Sequence, residues 1–324
     1  MAFNLSPALT AYVEENKADL ITKANLGGKT MGMVDVRYGI KSSEKIPVLE
    51  STTPFQSASS CGFNSSGTTS ITQIQISTNP IAVAESICLQ DLEAYYTQKY
   101  LPQGANVDST TIAADIINRK VANIAQSVEQ AIWQGNTTYT NSTVLKQFNG
   151  LLRTIALDGN AIAATQQSAI NASTVMGIFE DIYTKVPAAA IYNEPVIAFC
   201  GMDTFRTLLN KITSTYGFYG NYTTDAAAGR WELVYPGTNM KVIAVNGLNS
   251  DNSVETGSLP TAVKNRIIAT YASNLVVGTD LGTDMANIEA WYSVDDRVMK
   301  FYTRFRLGCA IKFGDHIVQY TNTP

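Results

Sequence analysis

Apolar residues follow a helical spacing along one long segment of the chain, 107–134. Isoleucine or valine recurs there every three to four residues, which is typical of the buried stripe of an amphipathic helix. Asp108 or Ser109 can cap its start by accepting a free backbone N–H, and Gly135 can end it in a left-handed conformation. At 1.5 Å per residue the predicted helix is roughly 40 Å long. Its acidic residues are too far apart to act as a pair, so the segment predicts a structural support and not a reaction site.

The rest of the chain alternates between helical and extended patterns, which indicates an α+β protein with mixed sheets. The extended runs 46–50 and 69–77 flank a tip rich in Ser, Gly and Thr, so together they predict a long polar hairpin with little core of its own. Further helices are predicted at 6–23 (ended by Gly27-Gly28), 85–99, 172–185 and 203–212, the last capped by Asp203. Further strands are predicted at 32–40, 195–200, 240–245, 266–271, 275–277, 285–293, 298–310 and 316–320, with a turn at 294–296.

Composition adds that the surface is poor in charge. Hydrophobic residues make up 45% of the 324, enough for a sizeable core, but charged residues only 15%, against about 25% in ordinary soluble proteins. An uncharged polar surface loses water at low cost, since burying an unpaired charge is far more costly than burying a hydroxyl that finds a partner. This favours a protein largely covered by neighbours over one with a neutral, secreted-type surface.

Several classes of function are disfavoured by charge and by cysteine spacing. The formal net charge is −4 and no basic run occurs, so sequence-specific nucleic-acid binding is not expected. No apolar run reaches the roughly 20 residues that span a bilayer, and the amino terminus lacks the pattern of a signal peptide. The four cysteines are scattered without a CxxC motif and are expected to be reduced thiols made in a cytoplasm: Cys61, Cys88, Cys200 and Cys309.

Two motifs resemble functional sites, but the residues around them do not support that interpretation. Segment 23–30 resembles the end of a phosphate-binding P-loop, yet Lys23 occupies the place of the first glycine and the segment follows a helix, so a helix stop is the better interpretation. His316 is the only histidine, and any His-based triad or metal cluster would need it. It stands beside Asp315 in a predicted strand, without a nucleophile motif in the chain, and is expected to be a core or strand-edge residue.

The remaining candidates are interpreted as turns or contacts. Asp295-Asp296 lies between two extended runs, and Asp280 with Asp284 lies in a Gly-containing connection, where Asp is a common turn residue. The aromatic loop 216–222 could stack on bases or sugars, but contact with another subunit is at least as good an interpretation. We therefore predict no catalytic, cofactor-binding or metal-ligating residue and no cofactor.

The sequence resembles a tailed-bacteriophage major capsid protein of the Hong Kong 97 fold over nearly its whole length. The end of the long helix, Glu129 to Gly135, is similar to the family's glutamate, small and apolar residues and terminal glycine, followed after a loop by Gly150-Leu151. Segments 193–209, 236–247 and 297–308 resemble, in turn, the family's strand and following helix, a later strand, and a closing strand with interleaved arginines.

This resemblance implies a specific division of the chain. Residues 1–29 would be an amino-terminal arm, and 30–83 an extended hairpin called the E-loop. Residues 84–184 would be the peripheral (P) domain with spine helix 108–134, and 185–284 the axial (A) domain. Residues 285–324 would return to the P domain.

The resemblance also implies a function. The chain would assemble with itself into the hexamers and pentamers of an icosahedral virion shell around double-stranded DNA, without sequence-specific DNA contact and without a membrane. Portal, scaffolding and decoration proteins would be further partners, with scaffolding supplied separately because no long extension precedes the arm. Some relatives form a Lys–Asn cross-link, but nothing specifies an acceptor for Lys41 or Lys45, so that chemistry is not carried over. An encapsulin-type nanocompartment is the nearest alternative, and a glycan-acting enzyme is a remote one.

Overall fold

The structure is a computed structural model that describes residues 10–11, 29–56, 65–88, 109–140, 142–165, 169–216, 222–225, 230–249, 266–280, 288–296 and 298–321. Most of the predicted helix 6–23, the Gly27-Gly28 stop, residues 89–99 and the hairpin tip 57–64 lie outside these residues, as do Cys61 and Asp284.

The described residues form helices and strands that alternate along the chain. The α-helices are α1 Ser109–Gln134, α2 Leu151–Asp158, α3 Val175–Lys185, α4 Ala188–Asn193 and α5 Met202–Tyr216. The strands are β1 Asp35–Arg37, β2 Ser43–Thr52, β3 Thr68–Ser77, β4 Asn79–Cys88, β5 Ile162–Ala163, β6 Val196–Cys200, β7 Tyr222–Asp225, β8 Arg230–Val234, β9 Lys241–Ala244, β10 Ile267–Tyr271, β11 Leu275–Thr279, β12 Ile288–Ser293, β13 Val298–Ile311 and β14 Val318–Tyr320.

A first sheet carries the long helix α1. Its strands run in the order β1, β11, β13, β12, and β4 pairs with β13 along ten residues, from Asn79 opposite Leu307 to Cys88 opposite Val298. The stripe of α1 joins one core cluster with alternate residues of β13, such as Ile117 with Phe301 and Phe305. The predicted spine helix and its buried stripe are therefore confirmed, because one face of α1 is covered by its own sheet.

A second sheet has the order β5, β14, β10, β6, β9, β8, β7. Helices α3 and α5 pack on it in a separate core cluster that includes Phe179 and Leu208. Three pieces of chain that the resemblance assigns to the P domain lie here, namely β5, α3 and the closing strand β14.

The chain passes between the two sheets three times, from β4 to β5 through α1 and α2, from β10 to β11 and from β13 to β14, and the last two passages are fastened together. A short 3-10 turn, Ala272–Asn274, joins β10 to β11, and residues 312–317 join β13 to β14. The buried Asn274 side chain accepts a hydrogen bond from the Phe313 backbone N–H at 2.7 Å and donates to the Phe313 carbonyl at 2.9 Å. The β13–β14 connection is thus hydrogen-bonded to the β10–β11 connection through the Asn274 side chain.

Residues 85–88, predicted as the start of a helix, form the end of strand β4 instead. Burial alternates from Ile81 to Val83, but the period is interrupted at Glu85, which is exposed and forms an ion pair with Lys120 of α1. Pairing with β13 outweighs the helical propensity of this stretch, since strand formation depends on cross-strand contacts more than on intrinsic preference.

Helix ends and one strand start also differ from prediction. Gly135 follows α1, but its φ is not positive, so the left-handed closure is wrong. Asp203 lies in the first turn of α5 rather than before it, and the first N–H, from Met202, is bound by the distant Asn249 Oδ1 at 2.6 Å. His316 belongs to a 3-10 turn, Gly314–His316, ahead of β14.

Candidate assembly surfaces

The hairpin of β2 and β3 projects beyond the core for most of its length. Ten residue pairs join the strands, from Ser43 opposite Ser77 to Thr52 opposite Thr68, so the predicted hairpin is confirmed and is longer than predicted. Nearly all of its described side chains are exposed. An isolated two-stranded hairpin is marginally stable in water, so this one depends on what its base and its faces contact.

An apolar pair lies on the solvent face of this hairpin. Leu49 and Ile71 are directly opposite each other and are 65% and 68% exposed. Residues directly opposite in an antiparallel pair share a face, and the buried Ile46 lies on the other one because side chains alternate along a strand. Two large apolar side chains thus meet on a face that the chain's own core leaves uncovered, as expected of a protein contact surface.

The base of the hairpin is seated on the first sheet by a small core of its own. Ile40, Ile46 and Ile76 form a buried cluster with residues of β11 and β13. Gly278 of β11 lies beneath it, and a Cβ at that position would be 2.8 Å from Ile76 Cδ1 and 3.0 Å from Ile40 Cδ1. The missing side chain is what lets the two isoleucines reach the strand.

Polar contacts fix the same base. The buried Thr78, between β3 and β4, donates its hydroxyl to the Ile40 carbonyl at 2.9 Å and its N–H to the Ser42 carbonyl at 2.8 Å. The Ile40 N–H donates to the Thr279 carbonyl at 3.1 Å. Base and projecting part therefore differ in character, since the base is fixed to the body and the outer pairs are free to contact another molecule.

A second anchor ties the chain ahead of the hairpin to the spine helix. The Thr30 N–H lies 3.2 and 3.3 Å from the two carboxyl oxygens of Glu129, and the Thr30 hydroxyl shares a short hydrogen bond with the same carboxyl. The Trp133 indole N–H donates to the Thr30 hydroxyl oxygen at 2.6 Å. Trp133 also packs on Phe199 of the second sheet, with ring centroids 5.2 Å apart. Through Trp133, α1 therefore contacts both the segment ahead of the hairpin and the second sheet.

The face of the first sheet opposite α1 carries a row of cations. Lys300, Arg304 and Arg306 alternate with buried residues along β13, and within the described part of the chain no carboxylate forms an ion pair with either arginine. On β4, Ala82 lies opposite Arg304 and Pro80 opposite Arg306, and both are exposed. Arg304 and Arg306 thus form a small basic patch beside the Lys300–Asp296 ion pair, which an acidic or polar surface of another molecule can approach.

Two of the motif candidates, His316 and Asp280, contact other residues of the chain. The His316 Nδ1 lies 3.0 Å from the Tyr271 hydroxyl, and its ring packs on Phe313 with centroids 5.1 Å apart. Asp280 accepts the Arg306 backbone N–H at 3.0 Å. No group of three or more His, Cys, Asp or Glu residues that could hold a metal ion occurs among the residues described.

The predicted turn 294–296 is confirmed. The hydrogen bond from Lys300, with a further one from Ser293, holds the pKa of Asp296 below its usual range, which is the behaviour of a surface ion pair rather than of a general acid. Asp295 and Asp296 are both exposed there. Lys41 and Lys45 are exposed at the base of the hairpin.

The cysteines and the aromatic loop were predicted with mixed results. Cys88, Cys200 and Cys309 are free thiols, and burial raises the pKa of Cys200 and Cys309 well above the usual value. Tyr216 is the last residue of α5 and Tyr222 the first of β7, and residues 217–221 of the predicted aromatic loop lie outside the described residues. No described helix is long and apolar enough to cross a membrane.

The functional features that sequence reasoning missed are β4 and the role of Glu129. Alternating apolar residues at Ile81, Val83 and Ile87 were the available signal for the strand. Glu129 stood in the quoted motif, but nothing local indicates that it binds Thr30, because 99 residues separate the two.

Comparison with known proteins gives structural but no sequence matches. No protein-family model matches this chain, and no curated protein sequence does. A structure from Gordonia phage Cozz superposes with a TM-score of 0.58 at 13% identity, covering 91% of this chain and 86% of that one. A satellite phage P4 procapsid that includes the size determination protein gives 0.57 at 9% identity, with coverage of 94% and 90%.

A third similar structure is a virus-like particle from Pyrococcus furiosus, with a TM-score of 0.51 at 10% identity and coverage of 98% and 100%. At such identities the likeness concerns the fold. The arrangement of projecting hairpin, spine helix and two sheets is the Hong Kong 97-like fold of phage capsid structures.

Proposed function

We propose that this chain is the major capsid protein of a tailed bacteriophage and assembles with itself into hexamers and pentamers of an icosahedral shell. The observation that carries the proposal is the projecting hairpin with the exposed Leu49–Ile71 pair. Such an extension gains stability when a neighbouring copy covers it, and repetition of one such contact around a closed symmetry builds a shell. The shared fold with phage capsid structures supports the same function.

The proposed division of the chain into domains follows the same fold. Residues 1–29 are proposed as the arm, 30–83 as the E-loop, 84–184 and 285–324 as the P domain, and 185–284 as the A domain. The pairing of β4 with β13 supports a P domain that begins at the hairpin base. The placement of α3 and β14 on the second sheet makes the boundary to the A domain an interwoven one.

The contents and partners follow from charge. A subunit with net charge −4 would enclose double-stranded DNA without neutralising it, so a portal and its motor would drive packaging against repulsion. Scaffolding and decoration proteins would be further partners, and the mature location would be the virion after synthesis in the host cytoplasm. The function is structural, without an enzymatic site or cofactor.

The decisive experiment removes the apolar pair from the hairpin. Leu49→Asp with Ile71→Asp should leave the subunit folded, because both side chains lie outside the described core, yet reduce particle yield at least about tenfold because a buried unpaired charge costs several kcal/mol. Circular dichroism checks the fold, and sedimentation with negative-stain microscopy counts particles. The matched control, Leu49→Met with Ile71→Val, keeps the apolar area and should assemble. Normal shells from the double aspartate would contradict the proposal.

The encapsulin-type nanocompartment is kept as a second candidate because a virus-like particle matches this chain over its full length. The two differ in what the shell encloses. Particles purified from the natural source should contain nuclease-protected DNA if the chain is a phage capsid protein, and protein cargo without DNA if it builds a nanocompartment.

A further inference from the structure

A carboxyl group lies inside the contact that fixes the turn at Thr30, ahead of β1, to the spine helix. Glu129 is 3% exposed, and both donors of Thr30, its N–H and its hydroxyl, reach this carboxyl. The Thr30 hydroxyl oxygen accepts the Trp133 indole N–H. Because either a carboxylate or a carboxylic acid can share a short contact with a hydroxyl, protonation need not break this network.

Protons and water can reach the carboxyl through a cleft. The cleft has a volume of about 640 Å³ and is lined by Lys29 and Glu129. The groups facing it are uncharged amides and apolar side chains from α1, from the start of α5, and from β9 and the turn after it: Asn118, Val121, Ala122, Ala125, Gln126, Met202, Ala244, Asn246 and Asn249. Lys29 is thus the one other ionisable group among the described residues that line it.

Desolvation is the largest influence on the pKa values of the two ionisable groups at this site. Burial raises the pKa of Glu129 above its ordinary value, and the Thr30 hydrogen bonds and Lys29 offset this only in part. Burial also lowers the pKa of Lys29, and the nearby Glu129 opposes this shift. If Lys29 and Thr30 moved away and water entered, the carboxyl would regain its ordinary pKa. By linkage, proton uptake then favours the closed arrangement, and ionisation at higher pH favours the open one.

We propose that Glu129 couples proton binding to the seating of the turn at Thr30, ahead of β1, which closes on the spine helix when the carboxyl is protonated and loosens when it is ionised. This makes Lys29–Thr30 a pH-sensitive contact between that turn and α1. The coupling is a property of the single chain and does not depend on what the assembled protein encloses, so its failure would leave the proposed shell function untouched.

Hydrogen exchange tests the coupling directly. The amides of Thr30, Met33 and Val34 report the closed turn, because the first binds Glu129 and the other two donate to the Thr30 carbonyl. After correction for intrinsic rates, their protection in the unassembled wild-type chain should fall as pH rises from 5 to 8.5, by up to about tenfold per pH unit within the titration range. Glu129→Gln removes the charge at nearly constant shape and should give a flat profile.

Two further variants keep the test decisive. Thr30→Val removes the hydroxyl but leaves the buried carboxyl, so protection should fall at every pH while the slope remains. Glu85→Gln alters an exposed carboxyl that contacts Lys120, and its slope should equal that of the wild type. A flat wild-type profile, a slope of opposite sign, or an unchanged slope in Glu129→Gln would overturn the proposal; if Glu129→Gln does not fold, the wild-type and Thr30→Val slopes decide.

Discussion

Two glycines at the end of the spine helix are required by close backbone approach. The Gly150 N–H donates to the Gly135 carbonyl at 2.8 Å. A Cβ on Gly135 would lie 2.6 Å from the carbonyl oxygens of both Ala131 and Phe148, and one on Gly150 would lie 2.6 Å from the Ala131 carbonyl oxygen. We call this pair the Gly135–Gly150 clasp. It brings the start of α2 against the end of α1, and no side chain larger than hydrogen fits between them.

Gly135→Ala should therefore destabilise the chain by roughly 1–3 kcal/mol, as overpacking does elsewhere. The atoms it would meet belong to the backbone and cannot rotate aside. Gly177→Ala is the matched control, because a Cβ there meets nothing within 4 Å inside α3, and the change should stabilise by about 1 kcal/mol. Urea unfolding of the unassembled chain measures both, and equal midpoints for the two variants would show that the clasp is not tight.

Both glycines stood in the sequence motif, but the sequence pattern gave the wrong cause for Gly135. A glycine after a helix is most often a left-handed cap, so the pattern favoured that conformation at Gly135. The true constraint comes from Phe148 and Gly150, which the fold returns to the helix end. A contact that forms where the chain turns back on itself cannot be predicted from the spacing of residues along a single helix.

Among the elements, the passages from β10 to β11 and from β13 to β14 fasten the two sheets to each other. The two segments run side by side, and the Asn274 side chain is hydrogen-bonded to both the backbone N–H and the backbone carbonyl of Phe313. Its Nδ2 also donates to the Thr270 hydroxyl at 2.9 Å. The Lys312 N–H adds a bond to the Asn274 carbonyl at 3.0 Å. Any rotation between the sheets must distort both passages together.

Asn274→Ala should cost about 1–3 kcal/mol, since it leaves the part-buried N–H and carbonyl of Phe313 without these partners and a fully buried group would cost about 1–3 kcal/mol. Asn239→Ala is a suitable comparison because Asn239 is exposed, and a single 3.4 Å contact with the Tyr183 hydroxyl is recorded for its side chain. Thermal unfolding should show a large fall in Tm for the first variant and almost none for the second. A small effect of Asn274→Ala would mean that the passages are held by other contacts.

Elements with a strong period were predicted well, and those defined by partners were not. The long stripe of α1 and the buried runs of β6 and β10 can be recognised from the pattern of their apolar residues. Strand β4 was taken in part for a helix, because its pairing with β13 involves residues more than 200 positions away. Helix α2 lies in eight residues after a loop and is too short for its period to stand out.

At the scale of the whole molecule, the hairpin separates into a seated base and a free outer part. Val48 opposite Thr72 marks the division, since Ile46 and Ile76 are buried on the base side and Leu49 and Ile71 are exposed beyond it. The body should therefore keep its fold when the outer part is removed.

Replacing residues 49–71 with a two-residue Asn-Gly turn tests this separation. The shortened chain should unfold within a few degrees of the wild-type Tm, because its base and both core clusters remain, and it should fail to form particles. A shortened chain that keeps pairs 43–48 with 72–77 is a better design than removal of the entire hairpin, which would expose Ile40. Normal shells from it would exclude the outer hairpin from assembly.

The order of the elements, and with it the fold, could be inferred from the sequence, since hairpin, long helix and returning strands follow one another along the chain. The pairing of these elements could not. The sharing of β14 and α3 with the second sheet depends on where distant strands meet, and the attachment of Thr30 to Glu129 depends on burial that composition does not record.

The Gly135–Gly150 clasp makes the intervening loop a natural place for an insert. Because the loop's ends are already joined by a hydrogen bond, its length is uncoupled from the positions of α1 and α2. Closing a loop twice as long costs only about 0.6 kcal/mol more. Thr140 is exposed within it, so a short peptide epitope introduced there should leave the two helices in place and be carried once by every copy of the chain.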